Sequence, residues 1–456
     1  MSSQYFRVDC HVFSGQHVRG YPHATIDGQE EELKLVVKQY RPFDNLNPKP
    51  GDVTIIGAHA NGFPKELYEP LWDELYKRSK GCGFNIRAIW IADAAHQGES
   101  GVLNENKLGN EPNWFDNARD LLQMVNVFRT QMVRPMIGIG HSYGGHSLVN
   151  LSLMHPRLLE TLVLIDPVFM RVWSREGSFR PAYMSSRRRD IWPSRAAAAQ
   201  AFKKSPFYQA WDPRVLENWL QYGLRELPTT LYPHNPEAAS PRSSSAPRAI
   251  AAPTTAEPTI APPATSAPDD RPVTLTTTKH QEVFTFLRPA FAPTGTEPLP
   301  DRLRVPDLDP STLPPEAPFY RAEGIMTFNR LPELRPSVLY IFGSASALSA
   351  PEAIADKMKF TGVGMGGSGG AEKGEVEYVV LKDAGHLIPM ERVVETAEES
   401  SRWVGKRLAR WREDEELMKR QWQSVREEDK TRLAGEYMEC LENIFKDEQK
   451  KRTEKL

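Results

Sequence analysis

The chain has 456 residues, enough for two or three average domains or for one large α/β fold with insertions. Hydrophobic residues make up 40% and charged residues 25%, an ordinary globular balance, and a formal net charge of -2 gives no reason to expect a nucleic acid partner. Three scattered cysteines (Cys10, Cys82, Cys440) match no zinc or redox spacing and cannot staple so long a chain, which favours a reducing compartment.

The opening stretch "MSSQYFRVDCHVFSG" lacks the basic start and apolar run of a secretory signal, and nowhere is there an apolar run long enough to span a membrane. Two β-rich segments come first, "YFRVDCHVF" and "ELKLVVKQY". "DVTIIGAHANGF" then reads as a buried strand, because Val53, Thr54, Ile55 and Ile56 are β-formers that end at small residues. "PKELYEPLWDELYKRS" has helical apolar spacing, "FNIRAIWIAD" is the next strand and "NWFDNARDLLQMVNVFRT" the next helix. "RPMIGIG" and "LETLVLID" add two strands, with the helix "GGHSLVNLSLMHP" between them. This alternation means βαβ crossovers and a mostly parallel sheet covered by helices on both faces.

Residues 1–170 are thus the first part of an α/β core, and 336–410, with strands "PSVLYIFG" and "EVEYVVLKDAG", the second. Between them, 171–335 reads as a helical cap inserted between strands six and seven, with aromatic-rich pieces such as "AAAAQAFKKSPFYQAW" and "PRVLENWLQYGLREL". Within it, Pro233 to Pro272 holds ten prolines and no aromatic residue, a composition that cannot bury enough apolar surface to offset ordering, so about 233–272 is expected to be disordered. Residues 411–456 form a charged helical extension. Val404, Leu408, Trp411, Met418, Trp422 and Val425 fall near a seven-residue repeat, and Leu433, Tyr437, Leu441 and Phe445 continue at spacing four. Periodicity does not choose between packing on the same chain and a homodimer contact.

Gly140-His141-Ser142-Tyr143-Gly144 matches G-x-S-x-G between an apolar strand and a helix, the context of a nucleophile elbow. A serine in that strained turn projects its hydroxyl above the strand end. Side chains two positions either way would collide with it, and Gly145 lets the helix pack closely. The helix start puts the Tyr143 amide where an oxyanion would develop. A second amide should come from His59-Ala60-Asn61-Gly62 after the third strand, with Asn61 favoured and Gly62 the alternative. For the general base, "VVLKDAGHLIPMER" offers His386 after the last strand.

The acid is displaced. After the seventh strand, where an acid is usual, the sequence reads "VLYIFGSASALSAPE", with Ser344, Ala345, Ser346 and Ala347 at the critical positions. The sixth strand "LVLIDPVF" ends in Asp166, at the sheet edge where ligands bind, and Asp166 is therefore the expected acid. Its rivals are a turn-capping role before Pro167 and the competitor Asp383 on the strand side of the His386 loop.

Other features carry less. The aromatics Trp173, Phe179, Tyr183, Trp192, Phe207, Tyr208 and Trp211 suit a large apolar acyl group or form the cap's own core. Arg187-Arg188-Arg189 reads as a solvated charge run, with coenzyme A phosphates the sharper alternative. "TGVGMGGSGG" holds a formal G-x-G-x-x-G, but it follows a helix and precedes a strand, the reverse of a dinucleotide fingerprint, so no cofactor or metal is expected.

The stretches "HVFSGQHVRGYPHAT", "GAHANGFPKELYEPLWDEL", "ADAAHQGESG", "GHSYGGHSLVNLSLMHPRLLETLVLIDPVF" and "DAGHLIPMERV" resemble the α/β-hydrolase superfamily. Within it they resemble the fungal peroxisomal acyl-CoA hydrolases of mycophenolic acid biosynthesis and related secondary metabolism. The resemblance covers roughly 5–180 and 336–410. It implies an α/β-hydrolase fold, a triad of Ser142, Asp166 and His386 with the acid after strand six, and an acyl thioester or ester substrate. It also implies a variant peroxisomal address, which Glu454-Lys455-Leu456 would supply, with Lys450, Lys451 and Arg452 just upstream; without it the chain would be cytoplasmic. A carboxylesterase or acyltransferase using the same triad is the first alternative, and a non-catalytic ligand-binding protein of this fold the second.

Overall fold

In the computed structural model, which describes residues 2–172, 175–233, 271–308 and 318–453, eight strands form one sheet. They are β1 (Phe6–Ser14), β2 (Lys34–Pro42), β3 (Val53–Ala58), β4 (Ile86–Ala92), β5 (Met136–His141), β6 (Thr161–Ile165), β7 (Ser337–Gly343) and β8 (Val376–Leu381). Their spatial order is β1-β2-β4-β3-β5-β6-β7-β8. The two pairings that involve β2 are antiparallel and the other five are parallel.

Burial explains which runs became strands. Every residue of β3, β5, β6 and β7 is buried, as expected where helices cover both faces of a parallel sheet and no polar alternation is needed. The edge strands β1 and β8 instead mix exposed with partly buried positions, fully burying only Phe6, Phe13 and Val376. Crossovers are made by α1 (Glu69–Ser79), α2 (Trp114–Val127) and α3 (Tyr143–Met154). The Asn113 side chain caps α2 by accepting the Phe115 amide at 2.8 Å. Helix α3 is buried from Tyr143 through Ser152, which is why its sequence lacks a charged, solvent-facing side.

Between β6 and β7 lies the insert. It contains α4 (Arg175–Arg187), helices at Arg195–Lys204 and Pro213–Tyr222, α5 (Lys279–Phe286) and α6 (Glu323–Arg330). It is less purely helical than expected. Ile191–Trp192, Val273–Leu275 and Leu224–Glu226 make a small antiparallel sheet, and Arg288–Pro289 pairs with Phe319–Tyr320. Strands of two or three residues are too short to leave a periodic signal. Of the segment expected to be disordered, 234–270 lies outside the described residues, as do Trp173 and the tripeptide Glu454-Lys455-Leu456.

Most insert aromatics pack on one another. Phe202 and Tyr208 rings are 4.7 Å apart, Tyr208 and Trp211 4.9 Å, Trp192 and Phe202 5.2 Å, and Phe63 from the core joins Trp211 at 5.7 Å. Phe179, Tyr183 and Phe207 are exposed. Of the arginine run, Arg187 and Arg189 are exposed, as expected of a solvated run, whereas Arg188 is half-buried and ion-paired. Arg188 pairs with the buried carboxylate of Glu282, Arg189 Nε donates to the Ile191 carbonyl at 2.7 Å, and Arg187 lies over the Tyr183 ring. The reading from sequence missed the Arg188 pair because it could not see the acid of α5 that neutralises it.

The chain divides into Met1–Gly405 and Lys406–Leu456. Helix α7 (Pro351–Phe360) belongs to the first unit, and α8 (Val393–Ser424) and α9 (Gly435–Thr453) follow. In the second unit the expected stripe is buried at Leu408 and half-buried at Trp411 and Val425, whereas Met418, Trp422, Leu433, Tyr437, Leu441 and Phe445 are 47–62% accessible.

Candidate active site

Strand β5 stops at His141, and Ser142 takes φ 55 and ψ −115 before α3 begins at Tyr143. A non-glycine residue in that region stores roughly 1–3 kcal/mol of strain, which the surroundings must hold. Here the Ser142 amide donates to the Ile165 carbonyl at 2.9 Å and its carbonyl accepts from His146 at 3.3 Å. The flanking glycines serve a different purpose from the one expected. A Cβ on Gly144 would stand 2.1 Å from the Ala58 carbonyl oxygen, and one on Gly140 2.7 Å from that of Gly144. The constraint is thus the close approach of α3 to the end of β3, not collision with the serine side chain.

The three residues expected as nucleophile, base and acid meet in one hydrogen-bonded line. His386 Nε2 lies 2.9 Å from Ser142 Oγ, and His386 Nδ1 lies 2.6 Å from Asp166 Oδ2. A carboxylate only accepts, so Nδ1 carries the ring proton and Nε2 is left to accept from the serine hydroxyl. The His386 loop reaches this position by crowding the end of β7, where a Cβ on Gly343 would sit 2.3 Å from the Gly385 carbonyl oxygen. His386 keeps about a third of its side chain accessible (35%), whereas Asp166 is fully buried.

Asp166 also has positive φ, 41, and its amide donates to the Ile341 carbonyl of β7 at 2.8 Å. Ser346 Oγ donates to its Oδ2 at 2.5 Å and Ser349 Oγ to its Oδ1 at 2.7 Å. Burial pushes this carboxyl up, but the bonds from His386, Ser346 and Ser349 and the nearby imidazole more than offset it, leaving the group below the usual carboxylate range. The competitor Asp383 is exposed and contributes only backbone to the loop: its amide donates to Ser344 Oγ at 2.9 Å and its carbonyl accepts from Arg392 at 3.1 Å.

On the oxyanion side, the Gly62 amide is already spent on Gln97 Oε1 at 2.8 Å. The Asn61 and Tyr143 amides donate no hydrogen bond among the described residues, and both residues line the pocket over Ser142. The Asn61 side chain is held from two sides, accepting from Gln97 Nε2 at 2.6 Å and donating to the Glu282 carbonyl of α5 at 3.0 Å. Beneath it, the fully buried Lys65 ammonium bridges Asp93 Oδ2 and Glu99 Oε2, each at 2.7 Å. The "ADAAHQGESG" stretch therefore braces the loop that carries Asn61.

The pocket over Ser142 encloses only about 40 Å³ and is walled by Trp114, Val168, Met170, Phe286 and Leu348. None of the insert aromatics singled out from the sequence, among the described residues, lines it. A larger cavity of about 1190 Å³ shares helix α5 as a wall, through Gln281 and Phe284, but Ser142, His386 and Asp166 do not border it. Sequence reasoning missed Ser346, Ser349 and Gln97. Ser346 had a visible signal, a hydroxyl standing where an acid was due, whereas Ser349 and a lone glutamine have none.

No known family model matches the chain. It is 41% identical over 446 residues to the type I acyl-CoA thioesterase mpaH' of Penicillium brevicompactum, spanning 96% of this chain and 95% of that protein. Over 432 residues it is 40% identical to the type I acyl-CoA thioesterase mpaH of Penicillium roqueforti, spanning 92% of each. Its fold matches that of the peroxisomal α/β-hydrolase Lpx1 of Saccharomyces cerevisiae at TM-score 0.62, with 15% identity and 98% of both chains covered. The chain therefore belongs to the family of the Penicillium type I acyl-CoA thioesterases, within the α/β-hydrolase superfamily, and is a hydrolase.

Proposed function

We propose that the chain hydrolyses an acyl-CoA thioester through an acyl-enzyme on Ser142. The observation that carries this reading is the line Ser142 Oγ–His386–Asp166, set beside two undonated amides in one small pocket. As Ser142 attacks the thioester carbonyl, His386 Nε2 takes its proton, and Asp166 holds the tautomer and stabilises the resulting imidazolium. The Asn61 and Tyr143 amides receive the oxyanion, each worth about 3 kcal/mol of transition-state stabilisation. The intermediate collapses by breaking the carbon–sulfur bond, and the thiol leaves with the proton from His386. Water, deprotonated by the same nitrogen, then cleaves the acyl-enzyme.

A space of about 40 Å³ admits the reacting carbonyl and little more, so the acyl chain and the coenzyme extend beyond it. The insert acts as the cap over this mouth, with Phe286 and the Glu282 carbonyl of α5 its nearest parts. The substrate is the thioester of a secondary metabolite. Its setting is the peroxisome, on the reading of Glu454-Lys455-Leu456 as a targeting tripeptide, which a fluorescent fusion with and without these residues tests. The exposed stripe of the second unit pairs two copies, which sedimentation of wild type against Trp422→Glu tests.

The decisive experiment combines a fluorophosphonate probe with thiol release from coenzyme A thioesters of graded acyl size and from matched oxygen esters. Labelling of wild type but not of Ser142→Ala, with thioesters cleaved fastest, is expected. No labelling of either protein overturns the reading.

A further inference from the structure

The residue between Gly140 and Ser142 has no part in the mechanism above, yet His141 is fully buried beside the reacting groups. Its Nε2 lies 2.8 Å from the His386 backbone carbonyl, and its ring is 5.2 Å from the His386 ring. Its Nδ1 lies 2.9 Å from the Tyr68 hydroxyl, which in turn accepts from the Ala60 amide at 2.8 Å. Tyr68, Ala60 and His141 are all at most 2% accessible, so water does not compete with these bonds.

Proton counting leaves one arrangement. A carbonyl only accepts, so His141 carries its proton on Nε2 and donates to His386 O. Nδ1 then has the lone pair and accepts from the Tyr68 hydroxyl, whose oxygen accepts from Ala60 N–H. Every donor and acceptor in the row is satisfied once, and no second tautomer fits. Burial, with the neighbouring His386, holds the His141 imidazole down to about 3, so it stays neutral through the working range.

The far end of this row meets the oxyanion loop. The Ala60 carbonyl and the Asn61 amide belong to one planar trans peptide, so fixing the oxygen fixes the direction of the N–H. That oxygen is held by His59 Nδ1 at 2.9 Å, while His59 Nε2 accepts from the Ala94 amide at 2.9 Å. His59 is therefore the opposite tautomer from His141, and it too is buried, with its imidazole held down by that burial. The peptide plane before Asn61 is gripped through its oxygen by His59, and the preceding amide by Tyr68.

We propose that Tyr68 and His141 are positioning residues that fix the Asn61 oxyanion donor relative to the His386 loop, through the row Ala60 N–H, Tyr68 Oη–H, His141 and the His386 carbonyl. This rests on the hydrolase reading given above. The row ties the loop after β3 to the loop after β8 across the nucleophile strand. Misplacement of a donor or base by about 1 Å is worth up to a hundredfold in rate, so the row acts on turnover and not on substrate capture.

The test compares wild type, Tyr68→Phe, His141→Leu and the double variant in steady-state hydrolysis, with thermal unfolding of each. Tyr68→Phe is expected to lower kcat by about 10- to 100-fold with KM within about 2-fold and unfolding still cooperative. The double variant is expected to be no slower than the slower single one, because both cut the same row. Wild-type kcat in Tyr68→Phe, or losses that multiply in the double variant, overturns the proposal. Nitrogen-15 histidine spectra give a readout that needs no turnover. His141 should appear as a non-titrating Nε2–H tautomer between pH 5 and 9, with an Nδ1 signal that moves in Tyr68→Phe, and a titrating His141 overturns the row. If wild type cleaves no thioester or ester, the hydrolase reading falls on that result and the row is judged on the spectrum.

Discussion

The turns after β6 and β7 leave neighbouring strands of the same sheet, whose last paired residues are Ile165 and Ile341, and they have divided one task between them. The first turn carries the carboxylate, Asp166. The second carries none, yet Ser346 and Ser349 aim hydroxyls at both oxygens of that carboxylate. With His386 as the proposed base, a charge partner is needed at one point in space, and the end of β6 supplies it. What moves with the acid is the demand for donors. A fully buried carboxylate whose Oδ2 also faces the imidazole needs further hydrogen bonds to stay charged, and the vacated turn supplies them.

Breaking the division at the acid should have the largest effect. Asp166→Asn is expected to lower kcat by about 10⁴-fold while leaving the melting transition cooperative, because an amide no longer selects the Nδ1–H tautomer or stabilises the imidazolium. Steady-state kinetics on the folded variant measures it, and activity near wild type would remove Asp166 from the mechanism. Reversing the division is the sharper test. In Asp166→Asn, the further change Ser346→Asp puts a carboxylate in the usual turn, on a residue that already touches the Asp166 oxygen nearest His386. We expect it to recover roughly 10- to 100-fold of the loss, short of wild type because the new acid lacks the Ile341 anchor of residue 166. No recovery would mean that the second turn cannot reach the histidine.

This pair of turns also marks where sequence reading succeeds and stops. As candidates, Ser142 and His386 are legible because each sits in a local frame, strand–serine–helix and strand–Gly–His, that the proposed chemistry requires. Asp166 is legible only through a contrast, an acid missing at 344–347 and present one strand away. Tyr68, His141 and Gln97 leave no trace, because their roles depend on contacts between segments 35 to 245 residues apart. The sheet is read well for the same reason as the serine, since burial on both faces writes continuous apolar runs. In the insert the helices at Arg195–Lys204 and Pro213–Tyr222 are legible, but α4, α5 and α6, the two-residue strands and the neutralisation of Arg188 by Glu282 are not.

A milder break spares the acid and removes its donors. Asp166 is held below the usual carboxylate range, so its stabilising contribution is complete above that range and lost as pH falls through the lowered folded value. Ser346→Ala with Ser349→Ala moves the folded value back up. The variant should therefore be less stable at pH 7, by roughly 1–3 kcal/mol per lost bond to a charged group as an upper bound, and should lose less on acidification. Denaturant midpoints at pH 7 and in the acid range, compared with wild type, measure both. A constant difference between the two proteins at every pH would show that the serines do not act on the charge.

The smallest expected effect tests whether proximity in sequence to His386 matters at all. Asp383 lies three residues before the histidine, closer along the chain than either turn, and it has positive φ, 53, like Asp166. The resemblance ends there. Its side chain is exposed, and what the loop takes from it is the amide bonded to Ser344 and the carbonyl bonded to Arg392. Asparagine tolerates the same backbone region and keeps both bonds, so Asp383→Asn should leave kcat and KM within about 2-fold of wild type. If it instead fell as far as Asp166→Asn, the acid would be shared between the β6 turn and the histidine loop. The comparison of the two turns would then need a third member.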